Sequence, residues 1–139
     1  MSKERTLILI KPDGVRRGLV GEVIARVEQK GYEISALRML QADRALLEKH
    51  YAEHQGKPFF EPLVEFMMSG PIVALIAEGA RVVEGFRALA GATDPTVAAP
   101  GSIRGDLGRD QGTKVVQNVV HGSDSASSAE REIEIFFSK

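Results

Sequence analysis

The chain has 139 residues, 43% of them hydrophobic, and its 18 basic and 19 acidic side chains leave a net charge of −1. This length and apolar content predict one folded domain over residues 1–139 and exclude global disorder. The balanced charge argues against a broad nucleic-acid surface, which needs a basic excess. Because the sequence has no cysteine, disulfides, thiolate nucleophiles and cysteine-ligated zinc are excluded.

The N-terminal apolar run is too short for a signal peptide, and no stretch reaches the length that spans a membrane. We therefore expect a soluble, cytoplasmic protein. The neutral balance still allows a small basic pocket, because a pocket needs only a few charges.

Hydrophobic patterning and turn residues predict strands that alternate with helices. In chain order, the patterns predict a strand at Thr6 to Ile10 closed by a turn at Pro12 to Gly14, a helix at Gly18 to Lys30, a strand at Tyr32 to Leu40, helices at Ala42 to His54 and Phe60 to Met68, a strand at Pro71 to Ala77, a helix at Val82 to Leu89, a strand at Val115 to Val120, a helix at Ala126 to Glu134 and a short tail from Ile135. This order predicts a βαββαβ core, a single sheet with helices on one face.

Residues 91–112 have no periodic pattern and are rich in Gly, Pro, Asp and Thr. Irregular segments of this length are uncommon inside a small domain, and those that occur are often functional. We therefore expect part of a binding site in this loop, immediately before the last strand.

Two of the three histidines, His50 and His54, lie four residues apart on a predicted helix and would share a face. That spacing suits a metal pair, but Glu53 is misplaced for the H-E-x-x-H motif and no third ligand is evident. We interpret both as surface or partly buried polar side chains and predict no metal held by protein ligands.

His121 follows a strongly apolar strand and precedes the small polar residues Ser123, Asp124 and Ser125. This places an imidazole at a strand end near a helix N-terminus, where free N–H groups favour phosphate oxygens. The local pattern alone also fits a structural histidine.

Five polar side chains elsewhere could complete a phosphate site around His121. They are Lys11, Arg87, Thr93, Arg104 and Asn118. If they converge, they form a cationic clamp beside a nucleophile, whereas each alone fits a solvated surface residue equally well. The sequence lacks a P-loop, a G-x-G-x-x-G string and the protein-kinase motifs, so scattered side chains would have to hold any nucleotide.

The segment Asn118-Val119-Val120-His121-Gly122-Ser123-Asp124-Ser125 resembles the active-site signature of nucleoside diphosphate kinases. Further blocks match that family in order, and the resemblance covers almost the whole chain: residues 6–14, His50-Tyr51, residues 57–60, Ser69-Gly70-Pro71, Arg87, Thr93-Asp94-Pro95 and residues 100–106. The resemblance implies an α+β, ferredoxin-like fold with a four-stranded antiparallel sheet.

The resemblance also implies an activity. A nucleoside triphosphate such as ATP would pass its γ-phosphate to His121, and a nucleoside diphosphate would then accept it in a ping-pong cycle that maintains NTP and dNTP pools. Neutral imidazole can attack through its free lone pair, so protonation should silence it. Mg²⁺ would bridge the phosphate oxygens, and the family implies a homo-oligomer, either a tetramer or a hexamer built from dimers.

Roles carried over by the resemblance cover two groups of residues. The catalytic group is His121, Glu132, which would orient the second ring nitrogen, Ser123, which would bond the phosphoryl group, and Lys11. The nucleotide-binding group is Lys11, Tyr51, Phe59, Arg87, Thr93, Arg104 and Asn118, with Phe59 stacked on the base. Because stacking reads no hydrogen-bond pattern, we expect purines and pyrimidines to be accepted.

One departure from the family lies between Arg104 and Asn118, which are fourteen positions apart instead of the usual shorter interval. We place an insertion of roughly four residues within Gly108 to Lys114, an amount that surface loops tolerate, and Leu107 stands where an aromatic residue is common. Two alternatives remain at this stage: a ferredoxin-like nucleotide-binding module without turnover, and a nucleic-acid-binding module, which would need a basic face and exposed aromatic residues.

Overall fold

A computed structural model describes residues 4–138. Its strands are β1 (Glu4–Ile10), β2 (Glu33–Leu40), β3 (Ile72–Gly79) and β4 (Val120–Gly122). Its α-helices are α1 (Pro12–Arg16), α2 (Val20–Lys30), α3 (Arg44–His50), α4 (Phe60–Met67), α5 (Val82–Ala90), α6 (Ile103–Leu107) and α7 (Ala126–Phe137), with a 3₁₀ turn at Ala52–His54. None of the helices within residues 4–138 is long and apolar enough to cross a membrane.

The four strands form one antiparallel sheet in the order β2-β3-β1-β4. The two central strands are the continuous apolar runs of the sequence, and β1 is paired along its whole length with β3. A strand buried on both faces needs such a run instead of alternation. The expected four-stranded antiparallel sheet is confirmed.

Helices cover both faces of this sheet, so the expectation of helices on one face only was wrong. Leu7 and Leu9 point into a core with α3, α4 and α7, while Ile8 and Ile10 point into a second core with α2 and α5. Successive strand residues face opposite sides, and an entirely apolar β1 therefore requires cover on both.

The predicted strand at Val115 to Val120 was also wrong, because the last strand begins only at Val120 and includes His121. Val119 has a left-handed φ of 74°, and the Val120 N–H donates to the Asn118 carbonyl at 2.8 Å. These three residues form a γ-turn, which takes the backbone out of extended geometry. The apolar residues before it satisfy a strand pattern without forming one.

Smaller differences concern helix ends. The turn at residues 12–14 is the start of α1, the irregular loop contains α6, the helix from Ala42 is broken at Tyr51, and the supposed tail continues α7 to Phe137. Asp43 caps α3 by accepting the Leu46 N–H, and Ser125 caps α7 by accepting the Ser128 N–H, as Asp and Ser commonly do.

Candidate active site

A pocket of about 570 Å³ opens beside β4, between the ends of β1 and α5 and the loop that contains α6. Six residues singled out from the sequence line it: Lys11, Arg87, Thr93, Arg104, Asn118 and His121. They come from distant parts of the chain, so only the fold brings them together. The convergence that a phosphate site requires is therefore present in the structure.

His121 lies on β4 opposite Leu9 of β1, so its ring leans toward the face that α3 and α7 cover. Its Nε2 is 2.9 Å from Oε1 of Glu132 on α7. Glu132 is 5% exposed. Burial acts to raise the pKa of this carboxyl, but the hydrogen bonds from His121 and Ser123 outweigh that effect and lower it. Because an ionised Glu132 carboxylate can only accept a hydrogen bond, the neutral ring that suits it carries its proton on Nε2 and has its free lone pair on Nδ1.

Ser123 lies behind this pair instead of in the pocket. It is fully buried, its hydroxyl donates to Glu132 Oε1 at 2.7 Å, and the Leu7 N–H donates to its Oγ at 3.1 Å. The expectation that Ser123 bonds a phosphoryl group directly therefore does not match its position. The hydroxyl instead fixes the carboxylate that holds the His121 ring.

Lys11 and Asn118 are joined across the pocket floor, with Lys11 Nζ 2.9 Å from Asn118 Oδ1. The Asn118 amide in turn donates to the Thr93 carbonyl at 2.9 Å. Desolvation, followed by the positive charge of Arg104, lowers the pKa of Lys11 to about 8, although Asp13 acts in the opposite direction. A lysine held in this way gains more from an incoming anion than a solvated one does.

Arg104 links the loop to the last strand. Its guanidinium donates to the carbonyls of Gly91 at 2.9 Å, Asn118 at 3.2 Å and Val120 at 2.6 Å. Burial first, and then the charge of Arg87, lower its pKa to about 10. Three of its five N–H groups are thus used for positioning, and two remain for a ligand.

The carboxylates near these cations do not neutralise them. Arg87 is 3.9 Å from Asp124 at the pocket rim, and Asp124 is the one carboxylate among the described residues that line the pocket. Three cations facing one acidic side chain form a site that favours an anionic ligand.

Asp13 was not singled out from the sequence, yet it supports the whole arrangement. It is 1% exposed, and its Oδ2 accepts the Val119 N–H at 3.0 Å. A β-branched residue with positive φ is strained, and this bond holds the strained residue between Asn118 and His121. The sequence hint for this role is an acidic residue directly after a buried strand. We interpreted Pro12-Asp13-Gly14 as a turn, and that interpretation gave Asp13 no further role.

The remaining two expected site residues lie outside the pocket lining. Tyr51 is buried, and burial raises the pKa of its phenol above the usual range. Phe59 is 46% exposed and meets the His54 ring edge-on. The exposed Phe59 ring is compatible with base stacking, whereas the Tyr51 side chain is buried.

His50 is buried, contrary to the expectation of a surface or partly buried side chain. Its ring meets Tyr51, His121 and Phe136 at centroid distances of 4.5, 4.9 and 5.2 Å. α3 ends at His50, and His54 lies in the 3₁₀ turn that follows, so the two histidines are not on one continuous helix as predicted.

The loop for which the resemblance predicts an insertion leaves the site intact. Residues 108–117 are irregular and mostly exposed, while the bond between Arg104 and the Asn118 carbonyl joins the segments that flank this loop. Both Arg104 and Asn118 line the pocket.

The protein has an α+β, ferredoxin-like fold, and its pocket places an imidazole oriented by a carboxylate beside a cluster of cations. A nucleophile next to preorganised positive charge is the arrangement that a phosphotransferase requires. A sequence model of the family described as nucleoside diphosphate kinase matches residues 4–139. The nucleoside diphosphate kinase of Streptomyces avermitilis is 62% identical over 135 residues, covering 96% of each chain. That of Parafrankia sp. is 61% identical over 137 residues, covering 99% of this chain and 97% of the relative.

Solved structures agree with these relatives. A halophilic nucleoside diphosphate kinase from Halobacterium salinarum in complex with CDP superimposes with a TM-score of 0.92 at 46% identity, covering 99% of this chain and 90% of the other. The apo enzyme from Encephalitozoon cuniculi gives 0.91 at 40% identity, covering 98% and 90%. The chain belongs to the nucleoside diphosphate kinase family, and it is a nucleotide phosphotransferase.

Proposed function

We propose that His121 carries the phosphoryl group between nucleotides and that its Nδ1 is the attacking atom. The observation that carries this assignment is the bond from Nε2 to buried Glu132 at 2.9 Å, because it leaves Nδ1 unprotonated beside the cationic pocket. In the first half-reaction the Nδ1 lone pair bonds the γ-phosphorus while the bond to the bridging oxygen breaks, and the nucleoside diphosphate leaves with that electron pair. The second half-reaction reverses these steps on another diphosphate.

Charge develops in two places during this transfer. The ring becomes positive as Nδ1 bonds phosphorus, and the Glu132 carboxylate offsets that charge. The phosphate oxygens are held by Lys11, Arg87 and Arg104, with Thr93 and Asn118 as shorter polar donors. Such preorganised charge is the main catalytic device in phosphoryl transfer.

Phe59 supports our proposal of broad base specificity, because a half-exposed ring offers stacking area and no hydrogen-bond readout. Tyr51 would act indirectly, through its contact with His50 beside the nucleophile. Purine and pyrimidine nucleotides would then compete on nearly equal terms.

We propose Mg²⁺ as the divalent cation of the reaction. Because Asp124 is the single carboxylate among the described lining residues, and Mg²⁺ prefers oxygen ligands and retained waters, the nucleotide phosphates would supply most of its ligands. When bound there it would spread the developing phosphate charge.

We also propose a homo-oligomer, a tetramer or a hexamer assembled from dimers. Leu37 and Met39 on the edge strand β2 are 54% and 59% exposed, and paired apolar side chains at a sheet edge favour association. Sedimentation equilibrium would measure the assembly, and a monomer at all concentrations would contradict it.

The phosphohistidine is tested by incubating the protein with γ-labelled ATP and Mg²⁺ and then quenching. Label that is stable in alkali and lost in acid is expected, with none on His121→Ala. The control His54→Ala removes a histidine outside the pocket and should label fully. Unlabelled wild-type protein that still binds nucleotide would contradict the assignment and favour the silent binding module.

A further inference from the structure

Three potential ligand side chains meet immediately behind the nucleophile. One nitrogen from each of His50 and His121 and one oxygen of Glu132 all lie within 4.8 Å of one another. We call these three residues the two-histidine cluster. The phosphoryl-transfer scheme uses His121 and Glu132 but gives His50 no task.

His50 is the unusual member of the cluster. It is 5% exposed, and both ring nitrogens are buried without a hydrogen-bond partner among the described residues. Its neighbours on three sides are the rings of Tyr51, His121 and Phe136, and none of them forms a hydrogen bond with either nitrogen. Leaving a buried polar group unpaired costs free energy, so a ligand for the His50 nitrogen would stabilise the ring in this position.

His50 is also in the right chemical form. Burial, followed by the charge of His121, lowers its pKa to about 3, so the ring is neutral at physiological pH. A neutral imidazole with a free lone pair is the form that binds metals.

The geometry is close to that of a zinc site. Zinc binds imidazole nitrogen and carboxylate oxygen tetrahedrally at about 2.0–2.2 Å, which puts neighbouring donor atoms about 3.3 Å apart. His121 Nε2 and Glu132 Oε1 are 2.9 Å apart, so a modest opening would admit an ion between them. Small rotations of His50 would bring its nitrogen within range, and water would complete the four ligands.

We propose that the two-histidine cluster binds a borderline divalent transition-metal ion such as Zn²⁺ and that this ion inhibits phosphoryl transfer. The ion takes the Nε2 lone pair of His121, and the proton that Nε2 carried moves to Nδ1. The ring stays neutral and no proton is released from it, but Nδ1 no longer has a lone pair with which to attack phosphorus. The inhibition, unlike the binding, rests on the proposed role of His121.

Two consequences distinguish this site from ordinary metal dependence. Mg²⁺ prefers octahedral oxygen ligands, so it should not compete for two imidazoles. Because the ion lies behind the ring and not in the pocket, Zn²⁺ should lower kcat while leaving the KM for nucleotide unchanged.

Binding is tested first on the unliganded protein, by titrating Zn²⁺ against a chromophoric chelator. One ion per chain is expected, with at least a tenfold loss of affinity in His50→Phe, which keeps an aromatic ring but removes the ligand. His54→Phe is the matched control, because His54 lies nearby outside the cluster, and it should bind like the wild type. Equal affinity in His50→Phe, or no stoichiometric binding by the wild type, would overturn the proposal.

A second measurement does not depend on how the variant folds. In ¹⁵N spectra of the wild-type protein, Zn²⁺ should shift the ring nitrogens of His50 and His121 and move the His121 proton from Nε2 to Nδ1. Shifts confined to His54 or to surface carboxylates would refute the site. Phosphoenzyme formation should stop with Zn²⁺ and return with a chelator, whereas absence of phosphoenzyme in zinc-free protein would count against the proposed function and not against the metal site.

Discussion

Replacing Glu132 with Gln isolates the charge behind the nucleophile, because the two side chains have nearly the same shape. Glu132 is 5% exposed and bonds His121 Nε2 at 2.9 Å, so its charge acts in a poorly solvated place. A hydrogen bond to a charged group contributes roughly 1.5–3 kcal/mol, and the ring is positive only as phosphorus is bonded. At about 1.4 kcal/mol per tenfold, the rate of His121 phosphorylation should fall roughly 10- to 150-fold.

Single-turnover quench-flow with γ-labelled ATP measures this rate directly. Nucleotide affinity should change little, because Glu132 does not line the pocket. The matched control is Glu130→Gln, on the same helix as Glu132, which weakens an exposed pair between Glu130 and Arg5 of β1. Its rate should stay within about twofold of the wild type, since such pairs contribute little. A Glu132→Gln rate within that same range would refute the idea that the carboxylate stabilises the charged ring.

Three further outcomes are expected. Phe59→Ala should weaken ADP, GDP and CDP binding by similar factors, in line with a stacking contribution of roughly 1–3 kcal/mol per base, and titrations that show a loss for one base alone would contradict stacking. Nucleotide affinity should fall by up to about tenfold per pH unit above pH 8, because the pKa of Lys11 is lowered to about 8 and anion binding favours its charged form. Calorimetry should detect proton uptake on binding in this range. Lys11→Arg, which stays charged, should flatten the pH dependence of the affinity. Gly122→Ala should lower the free energy of unfolding by about 1–3 kcal/mol, because a Cβ there would lie 2.6 Å from the Phe86 ring. Denaturant unfolding measures this change, and the control Gly21→Ala, in open space on α2, should be neutral or stabilising. Equal effects of the two substitutions would show that the contact with Phe86 is unimportant.

Local patterns predicted most of the secondary structure because burial imposes a period on the sequence. The continuous apolar runs of β1 and β3 and the helical spacing of α2 and α5 could be recognised without tertiary information. The pattern failed at residues 115–119, where buried apolar side chains follow an irregular path. Asp13, more than a hundred positions away, holds that path, and no local window contains it.

The candidate site, like the fold, was partly predictable from the sequence. Lys11, Arg87, Arg104 and His121 were identified as residue types suited to phosphate chemistry, and the family resemblance assigned them roles. Their convergence depends on the pairing of β1 with β4 and on the positions of α5 and the loop that contains α6. The burial of Ser123 behind Glu132 depends on how α7 packs against β1. Sequence spacing encodes neither.

By itself, the sequence determined which residues could bind phosphate, which segments had to be buried, and which family the chain resembles, because these depend on residue chemistry and local period. Only the tertiary structure decided how closely His121 Nε2 approaches the buried Glu132 carboxylate, how far the pKa of Lys11 falls, and that His50 lies against His121. Those properties come from distances and desolvation between residues far apart in the chain, and they exist only once the two faces of the sheet are covered.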